Sequence, residues 1–349
     1  MTTKLVPLVR VLREDEAIHL PESLACTTGF VGLDPWLRFV HKTYAFPIYR
    51  IVSQAESEID GWLALVRVKH FFFGDYLSTS PFGSYGGFAY SSIMARDALL
   101  EKARMLGSEL GVEYVNVRSD AQEEPPDGWT QHPVYATYLV DLASDPEQLM
   151  SAYSSDHRNH IRKSLRRGFS IKFGHLALLD DAYEALARSM HELGSPYHNK
   201  DYLRRMAEAL GEALEFAVVY GSRGELAGAG VFILQGARAT NLHANILHHF
   251  RSDYAGEFLY WSAVERYCRK GLKIFDLGRS LVGSGNETFK MKWRPRKKLL
   301  AYWYALMPGN QLPELNQKNP KFQLAISIWK RLPAFVVRSL GPFLIKGLA

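Results

Sequence analysis

The feature that most constrains this chain is a pattern that occurs twice. GVEYVNVRS at 111–119 and GLKIFDLGRS at 271–280 match with a one-residue insertion, one in each half of the sequence. Each is preceded by the same succession of elements. In the first half, PIYRIVS, DGWLALVRVK and DYLSTS read as three strands separated by turn residues, and SSIMARDALLEKARMLGSEL reads as a helix closed by Gly111. In the second half, LEFAVVYG, ELAGAGVFIL and ATNLHANIL are the strands, EFLYWSAVERYCRK is the helix, and Gly271 closes it. The order predicts a degenerate internal repeat of two α+β units, each with a mostly antiparallel sheet. The expected boundaries are 1–155 for the first domain, 156–312 for the second and 313–349 for a basic helical tail.

Composition sets the limits of this reading. A chain of 349 residues that is 47% apolar can bury two cores of ordinary size. Cys26 and Cys268 are the only cysteines and have no metal-ligand spacing, so neither a disulfide framework nor a zinc site is expected. The first residues lack the order of a secretory signal, and no run reaches the roughly 18 to 20 apolar residues of a spanning helix. A reducing, cytoplasmic setting is the expectation.

The formal charge of +6 is unevenly placed. Lys318, Lys321, Lys330, Arg331, Arg338 and Lys346 face no acid in the tail, so the rest of the chain is balanced. Two further basic clusters stand at 157–167 and 290–298. The first places Arg158, Arg162 and Arg166 at helical i, i+4, i+8 spacing, which suits either a phosphate-rich partner or a solvated inter-domain helix. Its poverty in aromatic residues argues against base-stacking recognition of nucleic acid. The tail mixes Ile326, Trp329, Phe335 and Phe343 with its cations and is broken by Pro333 and Gly341-Pro342, a pattern that fits a membrane-surface helix or a closing helix packed on the domains.

The stretches SPFGSYGG (80–87), RNHIRKSLRRG (158–168), LGSPYHNKDYL (193–203) and FDLGRSLVGSGNETFKMKW (275–293) resemble those of the FemAB-related proteins associated with exopolysaccharide and exosortase functions. These are akin to the Fem peptidoglycan aminoacyltransferases and are built from two GNAT-like domains. The resemblance implies an α+β fold of tandem GNAT-like (acyl-CoA N-acyltransferase-like) domains with mixed, mostly antiparallel sheets and a helical tail. It implies an acyltransferase that forms an amide on an amino group of a cell-envelope glycan or peptidoglycan-type precursor. No cofactor is expected to be tightly bound; acyl-CoA, an acyl carrier or aminoacyl-tRNA would serve as donor substrate. The coiled-coil arm of some Fem enzymes is not evident, which weakens the transfer-RNA expectation.

By the same resemblance Phe289 and Lys290 fall at the acyl-transfer site. Independently, a lysine ammonium in a partly dry pocket can stabilise the tetrahedral oxyanion of ester or thioester aminolysis; the competing reading is a solvated strand edge. Arg279 and Ser280, at the end of a strand, are candidates for an anionic substrate group, with a structural ion pair as the alternative. In the loop after Gly194, Tyr197, His198 and Lys200 are candidate site residues, with His198 as the general base; a surface-loop histidine is the alternative. Tyr85 and Gly86 match the segment lining the family's acceptor pocket, or simply form a tight turn. Arg251, Tyr254 and Gly256 precede a helix whose first N–H groups can hold a donor's pyrophosphate, or form an ordinary cap. Two other functions remain open: a non-catalytic glycan- or membrane-binding module, and an N-acyl amino acid synthase fed by an acyl carrier. The expected location is cytoplasmic, with peripheral contact at the inner membrane surface.

Overall fold

The computed structural model describes residues 7–13, 15–312 and 320–348. The first part of the chain runs β1 (Leu8–Val11), α1 (Glu22–Thr28), α2 (Asp34–Tyr44), β2 (Ile48–Ala55), β3 (Glu58–His70), β4 (Gly74–Ser78), β5 (Phe88–Tyr90), α3 (Ile93–Glu109), β6 (Tyr114–Ser119) and β7 (Thr130–Gln131). It continues with β8 (Tyr135–Asp141), α4 (Pro146–Ala152), α5 (Ser155–Leu165), β9 (Ser170–Gly174), α6 (Leu179–Leu193), α7 (Lys200–Leu210), β10 (Leu214–Tyr220), β11 (Leu226–Gln235) and β12 (Arg238–Ile246). The last part is α8 (Ala255–Arg269), β13 (Ile274–Asp276), β14 (Ser280–Leu281), α9 (Gly285–Met291), β15 (Arg296–Leu299), β16 (Ala301–Leu306), α10 (Pro320–Trp329) and α11 (Ala334–Lys346).

These elements form two compact units, and the chain passes between them more than once. The first unit holds residues 1–134, 299–314 and 346–349, and the second holds 135–298 and 315–345. The division therefore differs from the expected boundary at 155/156. The physical reason lies in two exchanged strands. In β8 the five residues Ala136 to Val140 are buried in succession, so its backbone groups need strand partners; it finds β13, β14 and β15 in the second sheet. Reciprocally, β16 pairs with β6 and β7 in the first sheet.

The two sheets follow one plan. The first has the order β1-β2-β3-β4-β6-β16-β7 with β5 on β3, and the second β14-β8-β13-β12-β11-β10-β9 with β15 on β8. Each contains one parallel pair, β4 with β6 and β12 with β13, and each of those pairings spans only three residues. The first core gathers Leu63, Leu65, Leu99, Leu100, Ala103 and Trp303. Leu99, Leu100, Ala103 and Leu106 fall on one stripe of α3, and each buried leucine contributes roughly 1.5–3 kcal/mol. The second core gathers Tyr138, Phe232, Trp261, Phe275 and Trp293.

Three expectations change here. The approach to Lys290 is helical and not the edge of a strand, because Ser284 caps α9 by accepting from the Glu287 N–H and Glu287 reaches back to the Gly283 N–H. The cluster at 290–298 is not an unneutralised patch. Lys292 lies 3.6 Å from Glu257, Lys297 is 2.6 Å from Glu287, Arg296 is paired with Asp141 at 2.7 Å, and Arg294 donates to the Ala152 carbonyl. Finally, Gly341-Pro342 does not break the tail: Pro342 lies inside α11, and the interruption falls at 330–333. The tail's residues 313–319 lie outside the described residues.

Candidate active site

Strand β13 ends in a buried carboxylate. Asp276 accepts from Thr137 Oγ1 at 2.6 Å and from the Gly278 N–H at 2.9 Å. The chain then turns at Gly278, whose φ is +76°; a Cβ there would lie 2.7 Å from the Asn241 carbonyl oxygen, so only glycine fits. This turn presents two successive carbonyl groups to one side. The Lys290 Nζ donates to the Gly278 and Arg279 oxygens, each at 2.8 Å. The same nitrogen stands 5.5 Å from the centre of the Tyr138 ring.

Lys290 is only 7% exposed. Burial pushes its pKa down from 10.5 to about 7; Asp276 opposes that shift and Arg279 adds to it. At neutral pH the side chain is therefore divided between ammonium and amine. Either form uses two N–H groups on the carbonyl oxygens. What remains is one further proton in the ammonium, or a lone pair in the amine.

Beside this lysine lies the start of α8. Phe289 packs edge-on against Tyr260 of α8, with ring centres 5.2 Å apart, and a Cβ on Gly256 would sit 3.7 Å from its ring. The Tyr260 hydroxyl accepts from Asn241 Nδ2 at 2.8 Å, tying α8 to β12. Tyr254 takes a left-handed conformation, φ +63°, and no side chain caps the helix. His160 stacks on Tyr254 at 4.5 Å, and Lys163 lies 5.8 Å from the same ring. Strand β12 pairs with β13 only from Arg238 to Thr240, so from Asn241 onward no strand covers that edge among the described residues. An uncapped helix N-terminus and an open strand edge thus occur in the same unit as Lys290, and α8 meets α9 through Phe289.

Not every candidate joins this group. Ser280 is buried with no hydrogen-bond partner for its hydroxyl among the described residues, and Arg279 is exposed with its guanidinium 5.0 Å from the Tyr135 ring. Arg162 lies exposed on α5. Arg166, expected on the same helical stripe, is the C-cap beyond α5, and Arg158 is turned back to donate to the Tyr153 and Ser151 carbonyls. Arg251 holds the loop before α8 by donating to the Ile246 carbonyl at 3.0 Å.

His198 does not present the accessible imidazole expected of a loop base. It is buried and stacked flat on Tyr202 at 3.6 Å, with His243 at 6.2 Å, and burial holds its pKa well below 6.5. Tyr197 is buried beside it and lies under Gly341 of α11, while Lys200 begins α7 and pairs with Asp180 at 3.1 Å. In the first unit, Gly86 has φ +115° and donates its N–H to the Arg118 carbonyl, and Ser80 Oγ donates to the Gly86 carbonyl. Ser80 and Phe82 also have positive φ, so the 80–87 segment is a strained turn held from within its unit. Tyr85 in that turn is half-buried.

Tyr138, Asp276 and Gly278 were not selected from the sequence. Asp276 and Gly278 stood inside the quoted FDLGRS, where a glycine directly before the Arg-Ser pair common to both repeats marks the inserted residue. Nothing in the sequence placed Tyr138 there, because it arrives on the exchanged strand β8.

Residues 155–291 match the family model described as acetyltransferase (GNAT) domain, a span from α5 to α9. Solved structures with the same fold include that of FemX, 13% identical, with a TM-score of 0.64, covering 88% of this chain and 99% of that one. A tandem GNAT protein from the clavulanic acid biosynthesis pathway is 13% identical over 87% of this chain and 100% of its own, with a TM-score of 0.52. The C-terminal DUF2156 domain of a putative lysylphosphatidylglycerol synthetase from Agrobacterium fabrum is 13% identical over 80% and 86%, with a TM-score of 0.51. No curated protein matches the sequence. The fold is that of tandem GNAT proteins.

Proposed function

We propose that the chain is an N-acyltransferase or aminoacyltransferase that forms an amide on an amino group of a cell-envelope glycan or peptidoglycan-type precursor. The observation that carries this reading is Lys290, buried, clamped by two backbone carbonyls and matched to a GNAT domain that extends to residue 291. The resemblance of the quoted motifs to the Fem peptidoglycan aminoacyltransferases favours the envelope substrate over other amines.

In this reading the acceptor nitrogen attacks the carbonyl carbon of an ester or thioester. A C–N bond forms and the carbonyl oxygen becomes an oxyanion. The third N–H of the Lys290 ammonium faces that oxygen and is worth about 10²–10³ in rate. Collapse of the intermediate breaks the C–S or C–O bond, and the acceptor's proton leaves with the thiolate or alkoxide through solvent. The uncapped start of α8 suits a donor phosphate, since its first N–H groups carry partial positive charge. The open edge of β12 offers backbone groups to an extended donor arm. Arg279 and Ser280 are assigned to the acceptor, and Arg251, Tyr254 and Gly256 to the donor. His198, buried and stacked on Tyr202, is not assigned as the base. The reaction is placed in the cytoplasm with peripheral contact at the inner membrane surface, where a lipid-linked acceptor would be met.

The test is amide formation measured by mass spectrometry with three donor classes, acyl-CoA, acyl carrier thioester and aminoacyl-tRNA, against amino-sugar and lipid-linked amine acceptors. One donor should give a product that Lys290→Met abolishes. Equal product from the variant would remove Lys290 from the chemistry, and no product with any donor would refute the transferase reading.

A further inference from the structure

The tail, in the second unit, keeps aromatic side chains in water. Helix α11 buries Val337 and Gly341 and turns Phe335 and Phe343 to the other side, where Phe335 is 73% exposed and Phe343 half-exposed. Helix α10 likewise buries Trp329 and exposes Leu324 and Ile328, one helical turn apart. This face is anchored rather than loose. A Cβ on Gly194 would lie 2.6 Å from Ile326, a Cβ on Gly341 would lie 2.8 Å from the Tyr197 carbonyl, and Arg338 is paired with Glu184 at 2.7 Å. Between the helices, Lys330 and Arg331 are exposed beside Phe335.

We propose that this tail face docks the protein on an anionic lipid bilayer, with Phe335 and Phe343 entering the headgroup region and Lys330 and Arg331 meeting lipid phosphate. Charge decides the occupant. From residue 318 to the end the chain has six Lys or Arg and no acid, so a second copy laid against the same face would set like charges together. A bilayer rich in phosphatidylglycerol supplies the opposite sign, and each basic side chain near it adds roughly 1 kcal/mol of attraction. Bare phenylalanines on fixed elements suit shallow insertion. Among the described residues no helix is long and apolar enough to cross a membrane, so the contact is interfacial. The inference deepens the peripheral placement given under the proposed function and rests on that reading only for its biological purpose.

Sedimentation with phosphatidylcholine vesicles, with and without phosphatidylglycerol, tests it. The wild-type chain should bind the anionic vesicles and release as salt is raised. Phe335→Ser with Phe343→Ser should lower the partition by about tenfold. Lys330→Glu with Arg331→Glu should remove the preference for anionic lipid. Circular dichroism and thermal unfolding confirm that each variant folds. Unchanged binding by the folded Phe variant, equal binding to neutral vesicles, or a dimer in light scattering that the same substitutions dissolve would overturn the proposal. Lys290→Met should bind vesicles as wild type does. A protein that binds vesicles but makes no amide would sink the transferase reading and leave this one standing.

Discussion

The two units share a plan, and they differ at the two places where chemistry would occur. In the first, Ser92 accepts from the Ala95 N–H and seals the start of α3; in the second, α8 starts after left-handed Tyr254 with no side-chain cap. In the first, the strand corresponding to β13 carries Asn116, whose side chain is satisfied by Arg118 at 2.7 Å and by donation to the Trp303 carbonyl at 3.2 Å. In the second, the matching position is Asp276, and the inserted Gly278 turns two carbonyls onto Lys290. Even the neighbouring arginines correspond, with Arg118 5.5 Å from the Tyr302 ring and Arg279 5.0 Å from the Tyr135 ring. One residue of insertion and one amide-to-carboxylate exchange separate a closed, self-satisfied unit from one with an ionisable group held ready.

The comparison can be broken at the lysine first. Lys290→Met should cut turnover by about 10²–10³ while the fold persists. The same change should stabilise the protein. A lysine whose folded pKa is about 7 resists protonation that the unfolded chain accepts, so its burial opposes folding fully below pH 7, and this cost fades as pH rises toward 10.5. Methionine removes that cost but leaves two carbonyls without their donor, for a net gain of roughly 1–2 kcal/mol near neutral pH. Thermal unfolding across pH checks it, and the gain should shrink as pH rises above 7.

Removing the insertion's geometry comes next. Gly278→Ala forces a Cβ into the Asn241 carbonyl at positive φ; turnover should fall about tenfold or more, with roughly 1–3 kcal/mol lost in a denaturant titration. Asp276→Asn then copies the first unit into the second. Its amide oxygen can still accept from Thr137 and Gly278, but the charge that supports the ammonium is gone. Turnover at pH 7 should drop by about tenfold and recover as pH is lowered. The smallest effect belongs to the closed unit: Ser92→Ala should cost about 1 kcal/mol of stability and leave turnover unchanged, since that cap only satisfies a helix end.

Much of this was legible in the sequence, and the parts that were not have physical reasons. Apolar alternation and closing glycines marked both sheets and both long helices, because these depend on local periodicity. The duplicated GVEYVNVRS and GLKIFDLGRS marked the tandem plan. The strand exchange was invisible, since β8 and β16 are ordinary strands whose partners are chosen by topology. Lys290 was singled out with a solvated strand edge as the competing reading of its surroundings, and it stands on a helix; the Ser284–Glu287 capping pair could have revealed it. His198 shows the opposite failure. A histidine in a polar loop looked like a base, and only the stacking on Tyr202 and the tail helix over Tyr197 show it as packed.

The central claim is that Lys290 acts as a buried ammonium in acyl transfer. The ratio of wild-type to Lys290→Met kcat, followed from pH 6 to pH 9, isolates that contribution, because ionisation of the acceptor amine cancels between the two proteins. The ratio should be largest below pH 7 and fall toward unity as pH rises through about 7. A ratio that stays level, or climbs with pH, would contradict the account.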